Sequence, residues 1–176
     1  MGTLLRKIKN SVCSGCYAMK GRYVFPNVQA AMLRRFNSLN NPQWVEAMTI
    51  ALEKRVKNGF FRWHDSGDIQ SIEHFKNIVK VALNLPHVKF WLPTREKDII
   101  AAYVKVGTIP ANLTVRLSAN SLDQKLSPAM LKSLGVVGSS VSSDKYNCLA
   151  PSQENFCLDC RKCWNKKIMN ITYKKH

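Results

Sequence analysis

Acidic side chains are scarce in this chain. Eleven Asp and Glu stand against twenty-seven Lys and Arg in 176 residues, which leaves a formal charge of +16. An imbalance of that size makes a polyanion the expected partner, and nucleic acid is the commonest polyanion. The alternative is that the charge serves solubility alone. A long apolar run is also missing. No stretch of about 18 hydrophobic residues is present, so no helix is expected to span a membrane. The opening "MGTLLRKIKNSVCSG" lacks the apolar centre of a signal peptide, and the cytoplasm is the expected location. Its Met-Gly start matches only the first part of a myristoylation signal. Repeats, low-complexity tracts and long linkers are absent too. With 45% hydrophobic residues, the chain is expected to form one globular domain, residues 1–176. That domain divides into a cysteine-pair segment (1–25), a core (26–144) and a cysteine-rich end (145–176).

Six cysteines are what stands out. In a reducing compartment they are expected to stay reduced or to bind metal, whereas a secreted chain would pair them as disulfides. Four of them, Cys148, Cys157, Cys160 and Cys163, follow the pattern C-x8-C-x2-C-x2-C. Three thiols in consecutive steps of that kind suit an iron–sulfur cluster, a [4Fe–4S] cubane with a fourth thiolate from a distance. Four thiolates also suit tetrahedral zinc, so Zn2+ is the alternative. Phe156 and Trp164 flank the set and would shield a cluster. Cys13 and Cys16 form a single C-x2-C that completes this site, builds a second one, or acts as a redox pair. His176 is a further candidate ligand.

Hydrophobic periodicity places the rest. "PNVQAAMLRRFNSL" begins at Pro26, a favoured first helical position, with Val28, Met32 and Phe36 four apart. "NPQWVEAMTIALEKRVKNG" reads as a second helix, N-capped by Asn41, ended by Gly59, and burying Trp44, Met48, Ala51, Leu52 and Val56. Then come four strands, "GFFRWHDSGD", "VKFWLP", "LTVRLSAN" and "VVGSSVSS". The helical stretches "SIEHFKNIVKVALNLP", "EKDIIAAYVKVG" and "SPAMLKSLG" separate them. Alternation of this kind predicts an α/β fold. Four or so βα units would form a parallel sheet or partial TIM-like barrel, followed by a cysteine-rich metal-binding C-terminal segment.

Each expected strand ends in polar residues, and the loops at that end of a parallel sheet form the ligand face. His64, Asp65, Ser66 and Asp68 surround Gly67. Two carboxylates and an imidazole there suit acid–base chemistry, a second metal or a cofactor. A turn with Asp68 or Ser71 capping the next helix explains some of them, but not His64 and Asp65. Arg95 and Arg116, with Thr94 and Ser118, come from the next two strand ends and suit a carboxylate or phosphate. Arg116 lies within its strand, so pairing with Asp65 or Asp68 is the alternative. His64, Asp65, Asp68, Arg95 and Arg116 are the candidate catalytic residues.

The blocks "CSGCYAMKGRYVFPNVQAAMLRRF", "FRWHDSGDIQSIEHF", "FWLPTREKD", "NLTVRLSAN" and "CLAPSQENFCLDCRKCWNKKIMNITYKKH" resemble, in this order, the phage and prophage "gene product 88" family. The resemblance covers nearly the whole chain and implies a phage-related origin. Members carry another cysteine before the first pair, which this sequence lacks. A weaker likeness is to radical S-adenosylmethionine (SAM) enzymes, through C-Y-A after a cysteine motif. It implies a [4Fe–4S] cluster with SAM on its open iron; Tyr17, beside the cysteine pair, and Ser66 and Ser118, at the strand ends, are the candidate cofactor-binding residues. Only the last pair of the usual C-x3-C-x2-C is matched, by Cys13 and Cys16, so a third ligand such as Cys148 is required. "DSGDIQ" and "LPTR" are similar to pieces of tRNA-guanine transglycosylases, but the nucleophilic aspartate is missing from "VKFWLPTR".

The primary expectation is a phage-derived iron–sulfur protein with a basic surface for nucleic acid and a radical SAM-like activity. The alternative is a zinc-stabilised nucleic-acid-binding module without catalysis, and the remotest is a base-modifying transglycosylase. A homodimer or a partner protein would supply the missing half of a barrel.

Overall fold

Five strands lie side by side in chain order and all run parallel. They are β1 (Phe60–Arg62), β2 (Lys89–Thr94), β3 (Leu113–Ser118), β4 (Val137–Ser142) and β5 (Asn170–Lys174). Together they curl into half a barrel. The computed structural model describes residues 2–175, and His176 lies outside them. Among the described residues six helices accompany the sheet: α1 (Gly2–Leu5), α2 (Pro26–Ser38), α3 (Trp44–Arg55), α4 (Ile72–Asn84), α5 (Lys97–Tyr103) and α6 (Pro128–Ser133). Strand order that follows chain order is what successive right-handed βα crossovers produce. None of the described helices is long and apolar enough to cross a membrane.

Alternation along the strands sorts the side chains between two faces. Phe90, Leu92, Leu113, Val115 and Leu117 join the main core, where α3, α4 and α5 cover them. Helix α4 buries Phe75, Ile78, Val79 and Ala82 on one face, with Ile72 half-buried beside them, and Ser71 caps it by accepting from the His74 amide. Helix α3 is shorter than expected but buries Trp44 and Leu52, with Met48 and Val56 packed against them. Helix α2 forms where expected and buries nothing. Phe36 is 53% exposed.

On the other face sits a smaller cluster of Trp91, Cys163 and Ile171, with Trp164, Ile168 and Tyr173 around it. Its origin is the long connection from β4 to β5. Where the earlier connections carry helices, this one carries 3-10 turns at Ala150–Ser152 and Lys162–Trp164, and it folds back against β2 and β3. The cysteine-rich end is therefore a crossover within the sheet. "NITYK" is its returning strand, a fifth beyond the four expected.

Candidate functional site

The strand ends gather much of the expected rim. His64 follows β1 in a left-handed conformation, φ 54°, which a non-glycine residue seldom adopts. This turn ends β1 at Arg62, well short of the expected "GFFRWHDSGD". Its Nδ1 is buried without a hydrogen-bond partner, and its ring meets His74 edge-on at 5.7 Å. Burial, helped by His74 and Arg62, lowers the His64 pKa to about 4. Beside it, the Asp65 carboxylate accepts from Tyr23 Oη, and the Asp65 carbonyl accepts from Tyr17 Oη at 2.5 Å. That carboxylate pushes the Tyr23 phenol up to about 12. Tyr23 is a member of this cluster that the sequence did not single out.

Asp68 has a different task. Its carboxylate accepts from Thr94 Oγ1 at 2.6 Å, the Arg95 amide at 2.7 Å and the Ile69 amide at 2.8 Å. It ties the loop after β1 to the end of β2, and burial pushes its pKa upward against those donors. Arg95 donates to the Ala119 carbonyl and joins the ends of β2 and β3. Ser118 Oγ lies 3.2 Å from Ser139 Oγ, and Ser66 is half-buried near Tyr23.

The N-terminal segment closes over this rim. Ser11 bridges Ser121, the Val12 amide donates to the Asn120 carbonyl at 2.9 Å, and the Leu122 amide to that of Asn10 at 3.0 Å. Cys13 and Cys16 follow directly, next to Tyr17. The other four cysteines belong to the β4–β5 crossover. All six are free thiols. Cys163 is buried, 3.3 Å from Tyr173 Oη. Burial pushes its thiol up, and Cys148 and Cys157 are near enough to add to that shift. Among the described residues, however, no three His, Cys, Asp or Glu side chains come together as a metal site. Cys13, Cys16, Cys148, Cys157, Cys160 and Cys163, the expected metal ligands, are thus not clustered as a metal site. Phe156 is 64% exposed, while Trp164 packs on Phe60 and Trp91.

Arg116 does not reach the rim. It is fully buried, and the sequence-based alternatives of a ligand arginine or a partner for Asp65 or Asp68 both give way. Its guanidinium donates to five backbone carbonyls. Nε reaches Cys163 at 2.8 Å, Nη1 reaches Gly138 at 3.0 Å and Ile168 at 3.1 Å, and Nη2 reaches Lys162 at 3.0 Å and Asn165 at 2.9 Å. A planar fork with five N–H donors fits that ring of acceptors, which an ammonium could not fill. Thr114 adds a bond to the Trp164 carbonyl at 2.9 Å. Together they fasten the crossover to the sheet.

A third feature lies at β1, the open end of the strand order. Arg62 sits over the Trp91 ring at 4.8 Å. Lys89 and Arg161 both stand over Phe60, at 5.5 and 5.0 Å. Trp164 Nε1 donates to the Phe61 carbonyl at 3.0 Å, so the crossover reaches this edge. The patch combines cations with aromatic faces contributed by β1, β2 and the crossover. Its first half is readable as the alternation of Phe60 and Arg62 in a strand. Arg161 is a hundred positions away and is not.

The histidines set a pH dependence. His64, and in the same direction His74, bind protons more weakly folded than unfolded. Their contribution to stability is complete above the unfolded value of 6.5 and is lost as pH falls below it, for His64 down to about 4. For His64 this amounts to about 3 kcal/mol over the whole window. Asp68, whose carboxyl is pushed upward by burial, opposes the trend at the acidic end of this window. Urea midpoints measured across this range should fall with pH in the wild type and fall less in His64→Asn, which tolerates the left-handed backbone. A flat wild-type profile would contradict the burial of these rings.

A family model described as gene product 88 matches residues 7–166, and the chain belongs to that family. No curated protein and no solved structure matches it significantly. The likenesses to radical SAM enzymes and to transglycosylases gain no support from these comparisons.

Proposed function

We propose that this member of the gene product 88 family binds nucleic acid along the β1 side of its half-barrel. The observation that carries the reading is the cation–aromatic patch of Arg62, Lys89, Arg161, Phe60 and Trp91. The charge balance supports it. Acids are few: eleven Asp and Glu cannot neutralise twenty-seven Lys and Arg, and a formal charge of +16 is left over. Cations held over ring faces are kept at the surface in fixed positions, where they can meet phosphates. Arg116 and Thr114 support the patch from beneath, because they fix the crossover that delivers Arg161 and Trp164.

The reading needs no metal. The rim around His64 and Asp65 is a separate polar cluster, and nothing in the phosphate contacts depends on it.

Paired substitution of Arg62→Gln and Lys89→Gln tests the assignment, since both side chains are exposed. The double variant should bind a single-stranded oligonucleotide more weakly at low salt and lose about 1.4 units of salt slope. Lys132→Gln on α6, away from the patch, should change affinity little. Equal losses from both changes would mean that charge alone, and not this patch, holds the ligand.

A further inference from the structure

We infer that the groove between α3 and β1 receives an unstacked base, so that the ligand is single-stranded nucleic acid; this rests on the nucleic-acid reading above. The two ends of the sheet differ. The outer side of β5 is covered by the crossover, whose Asn147 and Cys148 amides donate to the Thr172 carbonyl at 3.0 and 3.1 Å, while the Thr172 amide donates to Asn147 Oδ1 at 2.8 Å. At the other end, no strand of the described residues lies beyond β1. A groove of about 640 Å3 lies there instead. That volume is within the range of about 300–1,000 Å3 common for small-molecule sites.

The chemistry of the lining matches one kind of occupant. Met48, Leu52, Val56 and Phe61 offer an apolar wall, Arg55 and Lys57 supply positive charge, and none of the lining residues is acidic. Asn58 Oδ1 accepts from the Phe60 amide at 3.0 Å, and its two N–H donors remain suited to a base edge. Phe60 belongs both to this groove and to the cation–aromatic patch, so a strand lying over the patch brings its bases to the groove. Apolar space beside cations suits a flat, uncharged ring on a charged backbone. In a duplex the bases are stacked and paired, and their faces are covered. A second copy of this chain carries the same +16 charge, which disfavours its close approach at low salt.

Fluorescence anisotropy separates the possibilities. The probes are a labelled oligothymidylate of about 15 nucleotides and a duplex of equal length, compared at one salt concentration. The single strand is expected to bind at least about tenfold tighter. Ala51→Trp, which fills the groove from α3, should abolish that preference and leave duplex binding unchanged. Met48→Trp provides the same test from the same helix if the first variant loses its fold by circular dichroism. Equal affinity for the two probes, or a preference that survives the filled groove, overturns the inference while leaving nucleic-acid binding in place. Binding of neither probe overturns the nucleic-acid reading itself, and this inference with it.

Discussion

Arg116→Met should cost at least about 3 kcal/mol of folding stability, a large share of the 5–15 kcal/mol typical of a domain. The guanidinium is fully buried and serves the carbonyls of Gly138, Lys162, Cys163, Asn165 and Ile168. Methionine fills much of the volume but donates nothing. The Lys162 and Asn165 carbonyls keep backbone donors, the Asn165 and Ile168 amides at 3.1 and 3.2 Å; any of the others left without a donor has to find water or remain unsatisfied in a buried place, at about 1–3 kcal/mol for each one that fails. Relaxation of the crossover toward solvent limits the total. The damage should be local in character as well as large, because four of the five acceptors lie in residues 162–168. Limited proteolysis should cut the crossover first, and the β1–β3 core should persist longer. Arg116→Lys keeps the charge, yet three donors on a point-like ammonium cannot span five acceptors, so it should recover only part of the loss. Urea unfolding measures both effects. A loss below about 1 kcal/mol in Arg116→Met would show that the crossover holds without its clamp.

Much of this architecture could be read directly from the residues. Helix α4 was legible because its apolar positions follow one face and Ser71 announces its start. Strands β2, β3 and β4 were legible as short apolar runs between helical stretches. Others were hidden for physical reasons. The left-handed turn at His64 ends β1 early, and nothing in "FRWHDSGD" announces a positive φ on a histidine. "NITYK" has the β-branched and aromatic residues of a strand, but it follows a dense set of cysteines whose spacing pointed to a ligand loop.

The candidate site divides along the same line. Local signals placed His64, Asp65, Asp68 and Arg95 at strand ends correctly, since a strand end is a local event. Their partners are not local. Tyr17 and Tyr23 reach Asp65 from more than forty positions upstream, and the acceptors of Arg116 come from 22 to 52 positions downstream. An arginine within a strand gives no sign of which groups will surround it. The cysteine pattern also has a limited reach. C-x2-C-x2-C states that neighbouring thiols can converge, whereas the backbone here is held by Arg116 and Thr114 in an arrangement that does not gather three ligands.

The exposed cations lead to the second large effect. Arg55, Lys57, Arg62, Lys89 and Arg161 border the groove and the patch. If each neutralises one phosphate of a single strand, each contributes about 0.7 of a unit to the slope of log affinity against log salt. Affinity should then fall roughly a hundredfold between about 50 and 200 mM salt. Arg62→Gln with Lys89→Gln removes two of the five contacts, and the fall over the same range should shrink to about twentyfold. Hydrophobic or hydrogen-bonded binding would not behave this way, because such contacts release few counterions.

The most direct test of the account is therefore the dissociation constant of the wild-type chain for a labelled single-stranded oligonucleotide across that salt range. A roughly hundredfold weakening that the double variant reduces is the predicted result. An affinity that does not change with salt, or no binding even at the lowest salt, would contradict the claim that this half-barrel holds nucleic acid through its β1 side.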